Sequence, residues 1–408
     1  MPRCITIGIA GAVWVGWVFF DLLGRDSLVR PVSVARALDW LAYPRRRIWN
    51  LGMALGLARF APAPLVGGGW PPEGWLPAQV AAGPAGPEFD WAAFGMGPLD
   101  DPFFADSVRR ATALPFNRLM RWRLTLDELI AACPADGAAP AGLVFHLSRC
   151  GSTLLARLLA GFPGHAKLSE PEPLDAVVQW GLALSSDGAR APHPAAVAAL
   201  RAVARALMHN LAPGTRAFFK LDCWHIGALP LFRAAFPETP WVFLYRDPLE
   251  VAVSQVAMPG IHVVPGMQGA AMLGLAGGEE LGAEAYTAIV LGRICALAHH
   301  HAALGGGMLL HYDEIFEAIL DRLPRHFGFA LDAEAARRIE SMRGDDAKTP
   351  GARFRPDGVA KRARATPTLR AMVERHVEPE FQRLETLRRA SRGDVAVESP
   401  SAPISSGD

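Results

Sequence analysis

The stretch Gly142–Leu159, GLVFHLSRCGSTLLARLL, decides how this chain is read. The apolar run Leu143–Leu147 enters a tight polar turn, Ser148–Arg149–Cys150–Gly151–Ser152–Thr153. An aliphatic helical pattern comes directly after it, with Leu154, Leu155, Leu158 and Leu159 on one side. The order is strand, loop, helix, with one glycine and two hydroxyls at the helix start. A helix end of this kind offers unpaired backbone N–H groups and the positive end of the helix dipole, which suits phosphate. The turn therefore reads as an anion cradle.

Two familiar phosphate loops nearly fit. In the Walker A frame, His146 and Ser152 stand where the first glycine and the lysine belong. A Cys-x5-Arg loop starting at Cys150 needs arginine at position 156, which is alanine; Arg157 comes one residue late. What remains is Arg149 two residues before Gly151, with Ser152 and Thr153 after it. This resembles the phosphosulfate-binding loop of the sulfotransferases that use 3′-phosphoadenosine 5′-phosphosulfate (PAPS). Ser148 replaces that family's proline and Cys150 its small serine.

The rest of the chain bounds the reading. Its 408 residues suit one large domain with additions, or two domains. Lys and Arg (41) nearly balance Asp and Glu (40), so no bulk positive field points to nucleic acid. Five scattered cysteines without CxxC spacing argue for a reducing, cytoplasmic compartment and against a disulfide framework or zinc site. Cys4–Phe20 is seventeen residues without a charge, at the lower length limit of a membrane span. Seven arginines between Gly24 and Phe60 would keep the downstream chain on the inner face. Residues 1–60 are thus an N-terminal hydrophobic, arginine-rich extension, read either as a membrane anchor or as a buried or unstructured segment.

Residues 61–88 are rich in Pro, Gly and Ala and read as a linker, 89–392 as the main domain and 393–408 as a disordered tail. Helical patterning runs over Asp106–Ile130, and Pro194 opens an alanine-rich helix to Leu211. Short apolar runs at 165–168, 217–221, 241–245 and 308–312 alternate with helical stretches. That alternation predicts an α/β fold, a parallel sheet flanked by helices, with ligands beyond the carboxyl ends of the strands. Thr366 and Pro367 predict the start of a late helix.

After the 241–245 strand, Arg246–Asp247–Pro248 leads into a helix carrying Ser254. The same sulfotransferases have Arg-(Asn/Asp)-Pro-x-(Asp/Glu)-x-x-x-Ser here. The resemblance implies that Arg246 and Ser254 hold the cofactor's 3′-phosphate. It also covers MLLHYDEIF, and so extends over about residues 140–320, with a P-loop NTPase-like sheet as its implied fold. Glu170 falls where the tyrosylprotein sulfotransferases keep their catalytic glutamate, and Arg149 on their loop arginine. A carboxylate beside the phosphosulfate can take the acceptor's proton, and an arginine can stabilise the transferred charge. The other reading of Glu170 is a cap for the helix after Pro171. Cytosolic relatives carry Lys-x-His after the strand that ends at Lys220; here Asp222 stands at the histidine position, and His225 three residues later is the second candidate base. Lys220 is placed to reach the bridging oxygen.

The expectation is a PAPS-dependent sulfotransferase acting on an unidentified hydroxyl or amine, releasing adenosine 3′,5′-bisphosphate without a metal. Its catalytic residues are Glu170, Arg149, Lys220 and His225. Arg149, Cys150, Gly151, Ser152, Thr153, Arg246 and Ser254 bind the cofactor. A P-loop-fold small-molecule kinase and a non-catalytic nucleotide-binding regulator are the alternatives. Met258–Glu284, rich in Gly and Met, is a candidate lid. His299–His301 points in different directions on a helix and reads as a surface tract. Lys348 and Arg353–Gly358 fall where the family's basic glycine loop lies.

Overall fold

A computed structural model describes residues 69–95, 99–119, 122–135, 137–184, 191–266, 269, 272–275, 281–344 and 358–392. The expected anchor, the tail, Lys348 and Arg353–Asp357 lie outside the described residues. Among those described, no helix is long and apolar enough to cross a membrane. Arg109–Arg123 belongs to a different compact unit from Gly69–Val108 and the chain from Leu124 onward. Within it, Asn117 Nδ2 donates to Ala111 O at 2.9 Å, beside the short helix Pro115–Leu119.

Much of the expected linker is a hairpin. Strands β1 (Trp75–Gly83) and β2 (Gly86–Ala93) pair antiparallel around the two-residue turn Pro84–Ala85. Trp75, Leu76, Ala78, Phe89 and Trp91 are buried, so the pair has an apolar face to hide despite its Pro- and Gly-rich sequence. Gly86 sits at φ 142°, and a Cβ there would stand 2.9 Å from the Trp180 indole nitrogen. The expected helical run 106–130 is broken instead into Phe104–Thr112, Pro115–Leu119, strand β3 (Trp122–Thr125) and helix α1 (Leu126–Ala132). Thr125 and Glu128 cap α1 reciprocally, and that local chemistry ends the strand.

The main sheet has five parallel strands in the order β5-β6-β4-β7-β8. They are β4 (Gly142–His146), β5 (His165–Ser169), β6 (Arg216–Lys220), β7 (Trp241–Tyr245) and β8 (Gly307–His311). Every residue of β4 and β7 is buried, which explains their continuous apolar sequence: central parallel strands are covered on both faces. Helices α2 (Ser152–Ala160), α3 (Glu172–Ala183), α4 (Pro194–Met208), α5 (Leu229–Ala235) and α6 (Pro248–Ala257) make the crossovers. Beyond them, α7 (Ala283–His301) packs against α8 (Pro367–His376) and α9 (Glu378–Arg392). Thr366 Oγ1 accepts from Leu369 N at 3.0 Å and caps α8 as predicted. His299 and His300 occupy the last turn of α7, while His301 is buried rather than part of a surface tract.

The consequence for function lies in the strand order. Segments far apart along the chain end side by side on the carboxyl edge of one sheet.

Candidate active site

The loop after β4 is wound left-handed. Ser148 (φ 72°), Arg149 (φ 48°) and Gly151 (φ 91°) all have positive φ, and α2 starts at Ser152. Non-glycine residues in this region carry a strain of about 1–3 kcal/mol each, which surrounding contacts must hold. Here Gln255, buried in α6, donates to Ser148 Oγ at 2.7 Å, and Ser148 N donates to His146 Nδ1 at 3.0 Å. Gly151 has no room for a side chain, because a Cβ would stand 2.6 Å from Tyr312. Cys150 is fully buried with Sγ donating to Leu244 O, and burial pushes its thiol up to about 12. It is no nucleophile and offers a ligand only its backbone. Ser152 and Thr153 are buried in the first turn of α2. Arg149 points outward, donating to Met258 O at 2.8 Å.

Glu170 ends β5 in a left-handed conformation (φ 53°), and its N–H donates to Lys220 O on β6. Its side chain is not a helix cap: Pro171 occupies that position on α3. The carboxylate instead pairs with Lys220 Nζ and lies 3.5 Å from His146 Nε2. Lys220 is 1 % exposed, and its ammonium sits 5.0 Å from the centre of the Phe103 ring. Burial pulls the Glu170 carboxyl upward, but Lys220 and His146 outweigh it and hold it at about 2. His146 is kept below its usual range, chiefly by burial. Its Nε2 lies 2.8 Å from Leu221 O.

His225 belongs to the interior. It is wholly buried; Nε2 faces Asp175 Oδ1 at 2.7 Å and Nδ1 accepts from Asp222 N at 3.2 Å. Trp224 Nε1 donates to the same Asp175 oxygen. Asp175, Asp222 and His225 bring one potential metal-ligand atom each within 4.8 Å of one another. Both ring nitrogens are already engaged by protein partners, so the trio is a hydrogen-bonded cluster. The structure thus gives His225 a packing role, against its expectation as second base. Asp222 differs: burial, with Glu170 and Asp175 nearby, raises its carboxyl to about 7 against the pull of His225 and Lys220.

At the other side of the loop, Arg246 leaves the end of β7. Its guanidinium lies 4.3 Å from the centre of the Tyr312 ring and pairs with Glu250. Arg362, on the short helix Gly358–Arg364, bonds Glu250 at 3.0 Å and Asp247 at 3.1 Å. These residues border a cavity of about 480 Å³, with Tyr312, His311 and Phe381 on its wall. Ser254 lies on α6, two turns beyond Asp247, and is half-buried.

The structure brings Arg149, Gly151, Ser152 and Thr153 to one edge with Glu170 and Lys220 on one side and Arg246 on the other. Sequence reasoning missed Gln255, Tyr312, His146 and Arg362, none of which stands in a motif that names its partner. Tyr312 alone carried a signal, as the tyrosine ending the β8 segment. Chemically, the edge offers fixed guanidinium charges, a buried ammonium and two carboxylates shifted in opposite directions.

No family profile matches the chain, and no curated protein matches it in sequence. Among solved structures it is similar to a sulfotransferase from Alicyclobacillus acidocaldarius: 15 % identity, 62 % of this chain, 96 % of that one, TM-score 0.37. A sulfotransferase from Mycobacterium avium gives 14 % identity over 60 % of this chain and 76 % of that one, TM-score 0.35. The sulfotransferase domain from the curacin biosynthetic pathway gives 14 %, 62 % and 98 %, TM-score 0.38. Likenesses this loose carry no argument about chemistry, which rests on the residues at the sheet edge.

Proposed function

We propose that this protein transfers a sulfonate group from PAPS to a hydroxyl or amine of an acceptor and releases adenosine 3′,5′-bisphosphate. The observation that carries the reading is the adjacency of β4 and β7. Their register pairs His146 with Leu244, so the left-handed loop and Arg246 leave the sheet at the same level. Tyr312 joins them, packed on Gly151 and beneath Arg246. PAPS carries a 3′-phosphate and a 5′-phosphosulfate on one ribose, and so needs two neighbouring anion sites.

The residues present fit that donor. Loop N–H groups from Cys150 to Thr153, with Arg149, would hold the phosphosulfate at the start of α2. Arg246, with Ser254 and Arg362 nearby, would receive the 3′-phosphate. Both guanidiniums are now engaged by carboxylates, and a phosphate can take the same bidentate geometry. Tyr312 and Phe381 offer aromatic surface on the same cavity. The bound donor supplies an activated sulfonate and a stable leaving group. Arg149, Lys220 and the loop supply positive charge for the transfer, so the reading requires no metal.

Thermal unfolding with adenosine 3′,5′-bisphosphate and with AMP tests this directly. Saturation at 100 times Kd adds about 2.7 kcal/mol of stability. The bisphosphate is expected to raise Tm well above the AMP value. Equal shifts for the two nucleotides would remove the reading.

A further inference from the structure

We infer that Glu314 is a positioning residue for the nucleotide, an inference that rests on the sulfonate-transfer reading above. Clasped by the C-terminal helix α9, Glu314 holds Tyr312 between the loop after β4 and Arg246. Phe381, Glu385, Arg388 and Arg392 follow one another at intervals of four, three and four residues, which puts them on one face of α9. That face lies on the ends of β7 and β8. The Phe381 ring is 5.8 Å from that of Tyr245, the last residue of β7, and 6.4 Å from that of His311, the last of β8. Tyr245 Oη donates to Glu385 Oε1 at 2.7 Å, and Phe381 borders the cavity beside Arg246.

The rest of the face closes on Glu314. Strand β8 runs directly into a single 3-10 turn, Tyr312–Glu314. Glu314 Oε1 accepts from Arg388 and, at 2.5 Å, from Arg392. Its Oε2 accepts at 2.9 Å from Arg322, on the short helix Arg322–Phe327. Arg388 also grips both oxygens of Glu385, at 3.0 and 2.7 Å, which links Glu314 to Tyr245 and the end of β7. The Glu314 side chain is 14 % exposed, so these charge-assisted bonds are sheltered from the screening that weakens surface pairs.

What the clasp fixes lies two residues away. Tyr312 fills the space over Gly151, where a Cβ would stand 2.6 Å from its ring, and its ring centre lies 4.3 Å from the Arg246 guanidinium. Attraction between the cation and the ring gives Arg246 a support besides its pair with Glu250. One ring therefore bears on both the loop and the arginine that would take the 3′-phosphate. None of the three residues of the turn is fully buried, so its position depends on the ion pairs of Glu314.

Glu314→Gln keeps the size of the side chain and one acceptor oxygen but removes the charge. Calorimetric titration with adenosine 3′,5′-bisphosphate and with AMP reads the result. The variant is expected to bind the bisphosphate about 3–30-fold more weakly and AMP less than about twofold more weakly, because AMP has no 3′-phosphate for Arg246 to hold. A merely structural loosening would weaken both nucleotides alike. In a Tyr312→Ala background, adding Glu314→Gln is expected to change neither affinity further, since the ring through which it acts is gone. Arg392→Gln removes one arm of the clasp from the last turn of α9. It is expected to show the same selectivity at smaller size, and it takes the place of Glu314→Gln if that variant does not fold. Unchanged bisphosphate affinity in the folded variant, equal losses for both nucleotides, or a full effect in the Tyr312→Ala background overturns the inference. Native protein that binds the bisphosphate no better than AMP removes the sulfonate-transfer reading, and this inference with it. A native preference that the clasp variants leave intact sinks this inference alone.

Discussion

The two flanks of the β4 loop use charge in opposite ways. On the β7 side, Arg246 and Arg362 border an open cavity, and each leans on a carboxylate. Guanidinium does not lose its proton in proteins, so these two arginines present the same charge at every working pH. On the β5 and β6 side, an ammonium is sealed among Glu170, Asp222 and His146, and the acids' proton affinities are set by burial and by the charged groups around them. One flank carries guanidinium charge that does not exchange protons, and the other carries carboxyls shifted by their surroundings. The contrast teaches that charge sign alone does not assign a role; exchangeability and titration do.

The contrast is broken most severely at Lys220. Lys220→Met leaves Glu170 without its cation, and removing one partner of a buried pair costs about 3–5 kcal/mol. Glu170 keeps 27 % of its side-chain surface, so a loss of about 3 kcal/mol is expected from denaturant unfolding at pH 7. A loss below about 1 kcal/mol would mean that the pair is not a structural one.

Arg246→Ala should cost the fold less, because Glu250 retains Arg362 as a partner. Its effect belongs to the ligand. A charge-assisted bond is worth about 1.5–3 kcal/mol, so adenosine 3′,5′-bisphosphate should bind about 10–100-fold more weakly by calorimetry. AMP, lacking the 3′-phosphate, should be nearly unaffected, and equal losses for both would contradict the assignment.

Gln255 joins the loop to the segment after α6, donating to Ser148 Oγ and accepting from Gly260 N at 2.8 Å. Gln255→Leu removes both bonds and is expected to lower stability by about 1–2 kcal/mol and to raise KM for the donor. Unchanged KM would show that the left-handed loop holds its shape without this brace.

The smallest expected effect sharpens the comparison. Between pH 7 and 9, bisphosphate affinity should change by less than about twofold, since arginines do not titrate there and the phosphates are already ionised. Affinity that tracks the pH dependence of turnover would mean that the two flanks are not separate.

Much of this was legible in the residues. The buried strands β4 and β7 announce themselves as unbroken apolar runs, because a strand covered on both faces has no polar face to show. Asp247–Pro248 and Thr366–Pro367 mark helix starts through local bonding, and the structure keeps both. The failures share a cause as well. Trp75–Gly83 looks like a linker because the Pro- and Gly-rich run 61–88 around it hides its apolar face, and the Trp180 indole that the hairpin meets lies far along the chain. Glu170 looks like a base or a cap because its real partner, Lys220, is 50 residues on.

The sequence by itself determined the local chemistry: where the polar turn between strand and helix sits, which helices are capped, and that Arg246 stands at a strand end. These depend on bonds and patterns spanning a few residues. The tertiary structure alone decided which charges meet. Strand order puts the loop between Lys220 and Arg246, and it sets Lys220 and His146 against Glu170, whose carboxyl they hold low, while burial raises that of Asp222. Electrostatic energy depends on distance and on exclusion of water, and neither is written along the chain.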